Sequence, residues 1–111
     1  MDRFNMDHFN MDLFVEWLRG KITGDLEEIP GIGTSNKAIL KKEGITNTYQ
    51  LIGKYLSFKK GDIREHQNAM YEWLTQINVL SGRNYIILAL SEKCDILIPT
   101  MGKFDIDAVE V

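Results

Sequence analysis

Between Ile29 and Thr46 the chain reads Ile-Pro-Gly-Ile-Gly-Thr-Ser-Asn-Lys-Ala-Ile-Leu-Lys-Lys-Glu-Gly-Ile-Thr. No other stretch constrains the fold as much. Gly31 and Gly33 lack a Cβ, so the backbone there can take positive φ and come close to another molecule. Thr34 or Ser35 is placed to cap a helix over roughly residues 34–43. Gly44 supplies a left-handed stop, and Thr46 the cap of the next helix. A Gly-x-Gly turn that feeds a helix start aims free backbone N–H groups and the positive dipole end at one point, which suits an anion. The commonest polymeric anion is nucleic acid, and Lys37, Lys41 and Lys42 stand where they could reach flanking phosphates. The competing reading is that Gly-x-Gly only turns the chain between two packed helices.

The remaining punctuation predicts helices throughout. The lead-in copies Asp-Arg-Phe-Asn-Met, Asp-His-Phe-Asn-Met and Asp-Leu-Phe over residues 2–14, a period of five that fits neither helix nor strand. A first helix is expected over about residues 10–19, ending at Gly20, with Phe9, Leu13 and Trp17 on its apolar face and Phe14 and Leu18 on the flank. Thr23-Gly24-Asp25 opens a short helical turn over residues 26–29. A third helix covers about residues 47–56, with Tyr49, Leu51, Ile52, Tyr55 and Leu56 as its apolar positions. Asp62 caps a longer one through Asn78, on which Ile63, His66, Met70, Trp73, Leu74 and Ile77 share a face and His66 packs at the rim. A last helix over about residues 83–97 carries the run from Tyr85 to Leu90, apolar nearly all round, and is expected at the buried centre. Its β-branched residues keep a strand as the minor alternative. The expected architecture is all-α: a small single-domain bundle of about five helices over residues 10–98. Residues 1–9 form a flexible extension, and 99–111 a tail of alternating apolar and acidic residues, disordered or strand-forming.

The order of landmarks carries a resemblance. Leu26 to Leu56, through Ile29-Pro30-Gly31-Ile32-Gly33, Leu40, Gly44, Leu51 and Gly53, resembles a helix-hairpin-helix DNA-binding element. Phe14-Val15 with Gly20-Lys21, then Leu56-Ser57-Phe58-Lys59-Lys60, Glu72-Trp73-Leu74 and Glu92-Lys93-Cys94-Asp95, extend the likeness over about residues 12–97. The set is similar to the barrier-to-autointegration factor family, small all-helical dimers that bridge duplex DNA without reading its sequence. The resemblance implies a DNA site built from the backbone of Gly31, Ile32, Gly33 and Thr34 with Ser35, Lys37 and Lys41 beside it. It also implies a second, pseudo-hairpin site at Ser81, Gly82, Arg83 and Asn84; taken alone, Ser-Gly-Arg is an ordinary helix start. It further implies a homodimer, for which Ile52, Gly53, Leu56, Met70 and Trp73 are the candidate contacts, each equally able to pack inside one protomer. LEM-type protein domains are implied as partners. Two departures bear on this. Asn10-Met11-Asp12 stands where the family has basic residues, and the segment from Gly53 to Trp73 is a few residues longer. The lead-in repeat and the longer middle point to a divergent, or viral, relative.

Charge and chemistry narrow the function classes. With 13 Lys+Arg against 16 Asp+Glu the formal charge is −3, so any DNA binding has to come from a local cluster and aimed dipoles and has to be salt-sensitive. The single cysteine excludes an internal disulfide and suits a reducing compartment, nucleus or cytoplasm. No apolar run approaches membrane-spanning length. No nucleophile–base set, paired carboxylates in a cleft, metal-ligand spacing or phosphate loop is present, so neither an enzyme, a cofactor nor a metal is expected. The non-DNA alternative is a protein-interaction module of the same fold.

Overall fold

A computed structural model describes residues 10–98. Those residues form five α-helices and one 3-10 turn: α1 (Met11–Arg19), the turn Leu26–Glu28, α2 (Thr34–Lys42), α3 (Thr48–Ser57), α4 (Ile63–Gln76) and α5 (Arg83–Leu97). The fold is an all-α bundle, and no strand occurs among the described residues. The expectations of a flexible extension over residues 1–9 and of a tail over 99–111 lie outside the described residues, as does Phe9.

Each helix begins and ends where its terminal chemistry allows. Asn10 caps α1 by accepting from the Leu13 N–H at 3.1 Å, and Asp62 caps α4 from Glu65 at 2.9 Å. Gly44, at φ +84°, closes α2: its N–H bonds to the Lys41 carbonyl while Ile45 N–H bonds to Leu40, the double bond of a left-handed C-terminal cap. Asn78 does the same for α4 at φ +72°, with Val79 N–H reaching Leu74, so α4 stops short of the expected Asn78. Two cap expectations shift by one residue. Asn47 rather than Thr46 caps α3: the Asn47 side-chain oxygen accepts from Gln50 N–H, while Thr46 donates its N–H and hydroxyl to the Gln50 side chain. Gly33, not Thr34 or Ser35, is the N-cap of α2 and offers no side chain, so Thr34 and Ser35 become its first helical residues.

The core gathers around α5, which packs against α1, α3 and α4. Ile86, Ala89 and Leu90 are fully buried, together with Leu26, Leu40, Leu51, Met70, Leu74 and Val79. On α1 the buried pair is Phe14 and Trp17, and Leu13 is 53% exposed; the buried face is therefore rotated from the one the Phe9–Leu13–Trp17 spacing gave. Trp17 fixes that rotation by donating its indole N–H to the Ala89 carbonyl at 2.9 Å. On α4 it is His66, Met70 and Leu74 that are buried, while Ile63 is exposed. His66 is not at a rim: its Nε2 donates to the Tyr55 carbonyl at 2.7 Å and its ring stacks on Tyr55 at 4.1 Å. The Tyr55 hydroxyl is buried and unpartnered.

Two charged groups, Lys93 buried and Glu28 half-buried, tie the termini of these elements together. Lys93, 2% exposed, donates to the carbonyls of Trp17, Leu18 and Gly20 at 2.7, 3.1 and 2.6 Å, with its ammonium 5.0 Å over the Trp17 ring. It caps the C-terminus of α1, where a positive charge meets the negative dipole end. Glu28 accepts from Thr48 Oγ1 at 2.6 Å and from the N–H groups of Thr23 and Gly24. Burial alone would raise the Glu28 carboxyl, but these hydrogen bonds outweigh it and hold it below the usual value.

Candidate nucleic-acid interface

The two small-residue turns flagged in the sequence lie against each other. Gly31 takes φ +97°, which only glycine adopts without strain, and a Cβ there would stand 2.8 Å from the Gly82 carbonyl oxygen. Gly82, at φ +73°, is as tightly placed, since its Cβ would stand 2.7 Å from the Gly31 carbonyl oxygen. The close backbone approach predicted for the hairpin is therefore made to the second turn of the same chain. Gly33 differs: its φ is −104°, and a Cβ on it would meet nothing within 4 Å.

Asn36 holds the turns together. It is 7% exposed, and its amide nitrogen donates to the Gly31 carbonyl at 3.0 Å and to the Ser81 carbonyl at 3.1 Å. Both amide hydrogens are used, so the side chain works as a clamp across 45 residues of sequence. The clamp sets the starts of α2 and α5 side by side. Both have a glycine N-cap and no side-chain cap hydrogen bond. The first-turn amides of a helix have no partner within the helix, and at the α2 start no side chain caps them, which suits that end to an anion.

Around this face the sequence-predicted residues divide. Gly33, Thr34, Ser35, Lys41 and Ser81 are exposed, and Gly31, Gly82 and Asn84 are half-buried beside them. Ile32 is buried and its N–H closes the turn on the Ile29 carbonyl at 3.0 Å, so neither its side chain nor its amide faces outward. Arg83 is 9% exposed; it donates to Thr75 Oγ1 at 2.7 Å and its guanidinium lies 4.6 Å over the Tyr71 ring. It points into the fold, so the expectation of a phosphate-facing arginine is corrected: its side chain is held on Thr75 and Tyr71 of α4. Lys37 bonds to Asp25 at 3.0 Å and to Glu27 at 3.3 Å. Those carboxylates raise the Lys37 ammonium above its usual value, Asp25 first, while Asp25 is lowered first by the Glu27 backbone N–H and next by Lys37. Neither Asn36 as a clamp nor Asp25 and Glu27 as neighbours of Lys37 is signalled by residue type or spacing, because these contacts are made across a turn or across 45 residues of sequence.

The candidate contacts between protomers also divide. Met70 is fully buried, so it belongs to the core and leaves the set. Ile52 and Leu56 are half-buried and Gly53 is exposed with open space at its Cβ position. Trp73 is half-buried, 6.2 Å from the Phe58 ring, with the Lys54 ammonium 5.0 Å over it. These four residues lie on α3 and α4.

The chain matches no protein-family model, no curated protein and no solved structure. The surface carries two clefts among the described residues. One of about 210 Å³ lies between Leu13, Trp17 and Glu27, and one of about 310 Å³ lies between Lys59, His66 and Asp95. Neither is lined by the hairpin glycines, and among the described residues no group of three metal-ligating side chains comes together. Cys94 is buried and its thiol is pushed up to about 11, chiefly by burial, so it is no nucleophile at neutral pH. No helix of the described residues is long and apolar enough to cross a membrane.

Proposed function

We propose that the chain binds double-stranded DNA through its phosphates, without reading base sequence. We further propose that it acts as a homodimer whose two faces bridge and compact duplexes. One observation carries the reading: the start of α2 is capped by a glycine with no side-chain cap hydrogen bond, and Asn36 clamps it against the small-residue turn that opens α5. Thr34, Ser35 and Ser81 add hydroxyls there and Lys41 a solvent-exposed charge. Nothing on this face resembles a long basic helix or an Asn/Gln/Arg cluster for base edges, which supports backbone binding in the manner of a helix-hairpin-helix element. The α3–α4 surface around Ile52, Gly53, Leu56 and Trp73 is the proposed dimer contact.

Titration of unrelated duplexes tests this. They should bind within a few-fold of one another, with a log–log salt slope of roughly −3 to −5 per protomer, the value for about three to five neutralised phosphates. Strong discrimination between random duplexes, or a flat salt response, would refute phosphate-led binding. Light scattering that returns a monomer at micromolar concentration would refute bridging and leave single-face binding in place.

A second reading, a protein-interaction module of the same fold with weak DNA affinity and LEM-type domains among its partners, draws support from a specific feature. Lys37 is paired internally, Arg83 faces inward and the formal charge is −3. Absence of duplex binding at low salt by a folded protein would select it.

A further inference from the structure

Glu27 reaches both the first residue of α2 and the lysine one turn further along it. Its Oε2 accepts from the Lys37 ammonium at 3.3 Å, and its Oε1 accepts from the Thr34 hydroxyl at 3.4 Å, on the first residue of α2. One carboxylate thus spans from the cation of the α2 face to the mouth of its uncapped N-terminus. Asp25 holds the other side of Lys37 at 3.0 Å. Asp25 is itself fixed, because its Oδ1 also caps the 3-10 turn by accepting from Glu27 N–H at 3.0 Å.

We propose that Asp25 and Glu27 form an autoinhibitory acidic latch over the α2 start, which occupies Lys37 and the helix mouth until a polyanion displaces it. The inference rests on the DNA-binding reading and adds its regulation. The latch is poised to open: the Asp25 and Glu27 side chains are 56% and 41% exposed, and exposed ion pairs are individually weak and screened by salt. A duplex offers many phosphates at high local density. Displacement therefore frees Lys37 to neutralise one more phosphate, and Glu27 swings into solvent. Until then, two carboxylates repel the ligand from the very place where the backbone attracts it.

The test is a set of fluorescence-anisotropy titrations with a labelled duplex of about 20 base pairs, a length ample for one phosphate-binding face. Asp25→Asn with Glu27→Gln keeps the cap acceptor and the side-chain sizes while removing both charges. This double variant should bind roughly tenfold tighter at low salt, with a log–log salt slope steeper by about 0.9, the contribution of one released lysine. Lys37→Gln alone should change wild-type affinity less than about twofold, because that ammonium is already engaged. Added to the double variant, Lys37→Gln should cancel most of the gain and restore the shallower slope. A gain that survives Lys37→Gln would overturn the latch in favour of general charge repulsion, and equal or weaker binding by the double variant would overturn it outright. If neither protein binds duplex at low salt, the latch and the DNA-binding reading fall together; if the wild type binds and the double variant gains nothing, only the latch falls. Should the double variant lose its helical circular-dichroism signal, Glu27→Gln alone carries the test, with Asp25 still capping the turn and roughly threefold tighter binding expected.

Discussion

Asn36→Ala separates the clamp from everything else on the face. The substitution removes hydrogen bonds of 3.0 and 3.1 Å to the Gly31 and Ser81 carbonyls. Each such bond contributes about 0.5–1.5 kcal/mol net. Gly31 is half-buried and Ser81 exposed, so water re-solvates the Ser81 carbonyl more readily than the Gly31 carbonyl and the full desolvation penalty applies to neither. Alanine returns about 0.5 kcal/mol through its better helix propensity. The expected loss is therefore about 2 kcal/mol, a large fraction of a small domain's stability but not all of it. Urea unfolding followed by circular dichroism should show a lower midpoint with an unchanged slope, and thermal unfolding a drop of about 10 °C. Under native conditions duplex affinity should also fall, because the two helix starts lose their common register. Asn36→Asp should be worse than Ala at neutral pH, since a carboxylate would face two carbonyl oxygens where a double donor stood. A loss below about 0.5 kcal/mol for Asn36→Ala would refute the clamp, because it would mean that the Gly31–Gly82 contact holds without it.

Two further predictions concern the helix-terminal chemistry. Lys93→Met keeps the aliphatic stem but strips three carbonyls at the end of α1 of their partner. It should cost about 3 kcal/mol in urea unfolding, and a neutral result would show that water caps α1 equally well. The Cys94 thiol, raised by burial from 9.0 to about 11, makes stability alkali-sensitive. Its folded value lies above its unfolded one, so the contribution is complete below pH 9 and disappears toward pH 11. The loss should amount to about 1.4 kcal/mol per pH unit across that window, about 3 kcal/mol in all. Lys93, lowered chiefly by burial, acts in the opposite sense over the neighbouring range. The measurement is therefore the difference between the wild type and Cys94→Ala as pH rises, and a parallel pair of curves would refute it.

The elements were legible because their ends are written in short-range chemistry. Asn10, Gly20, Gly44 and Asp62 each mark a boundary of an observed helix, and the apolar run after Arg83 lies at the buried centre. Where small polar residues adjoin, as in Thr46-Asn47-Thr48 or Gly33-Thr34-Ser35, propensity does not say which one caps, and tertiary packing decides. The candidate site was legible as glycines and lysines but not as a surface. Whether Arg83 faces outward depends on Tyr71 and Thr75 in a different helix. Whether Lys37 is available depends on carboxylates 10 and 12 residues upstream across a turn. The facing of α1 escaped the spacing rule for the same reason. The Phe14–Trp17 pair has α5 to pack on, through the Trp17–Ala89 bond, and Leu13 does not share that face.

Duplex binding by Gly33→Glu is the most direct test of phosphate recognition at the α2 start. Gly33 is exposed, its φ is ordinary for any residue, and nothing lies within 4 Å of its Cβ position. The substitution should therefore leave the helical circular-dichroism spectrum and the urea midpoint unchanged, while it sets a carboxylate at the point where phosphate would meet the amides. At low salt, anisotropy with an arbitrary duplex should show saturable binding by the wild type and a loss of at least about a hundredfold in the variant, since the change both blocks the amides and repels the ligand. Native folding with undiminished affinity would contradict the account.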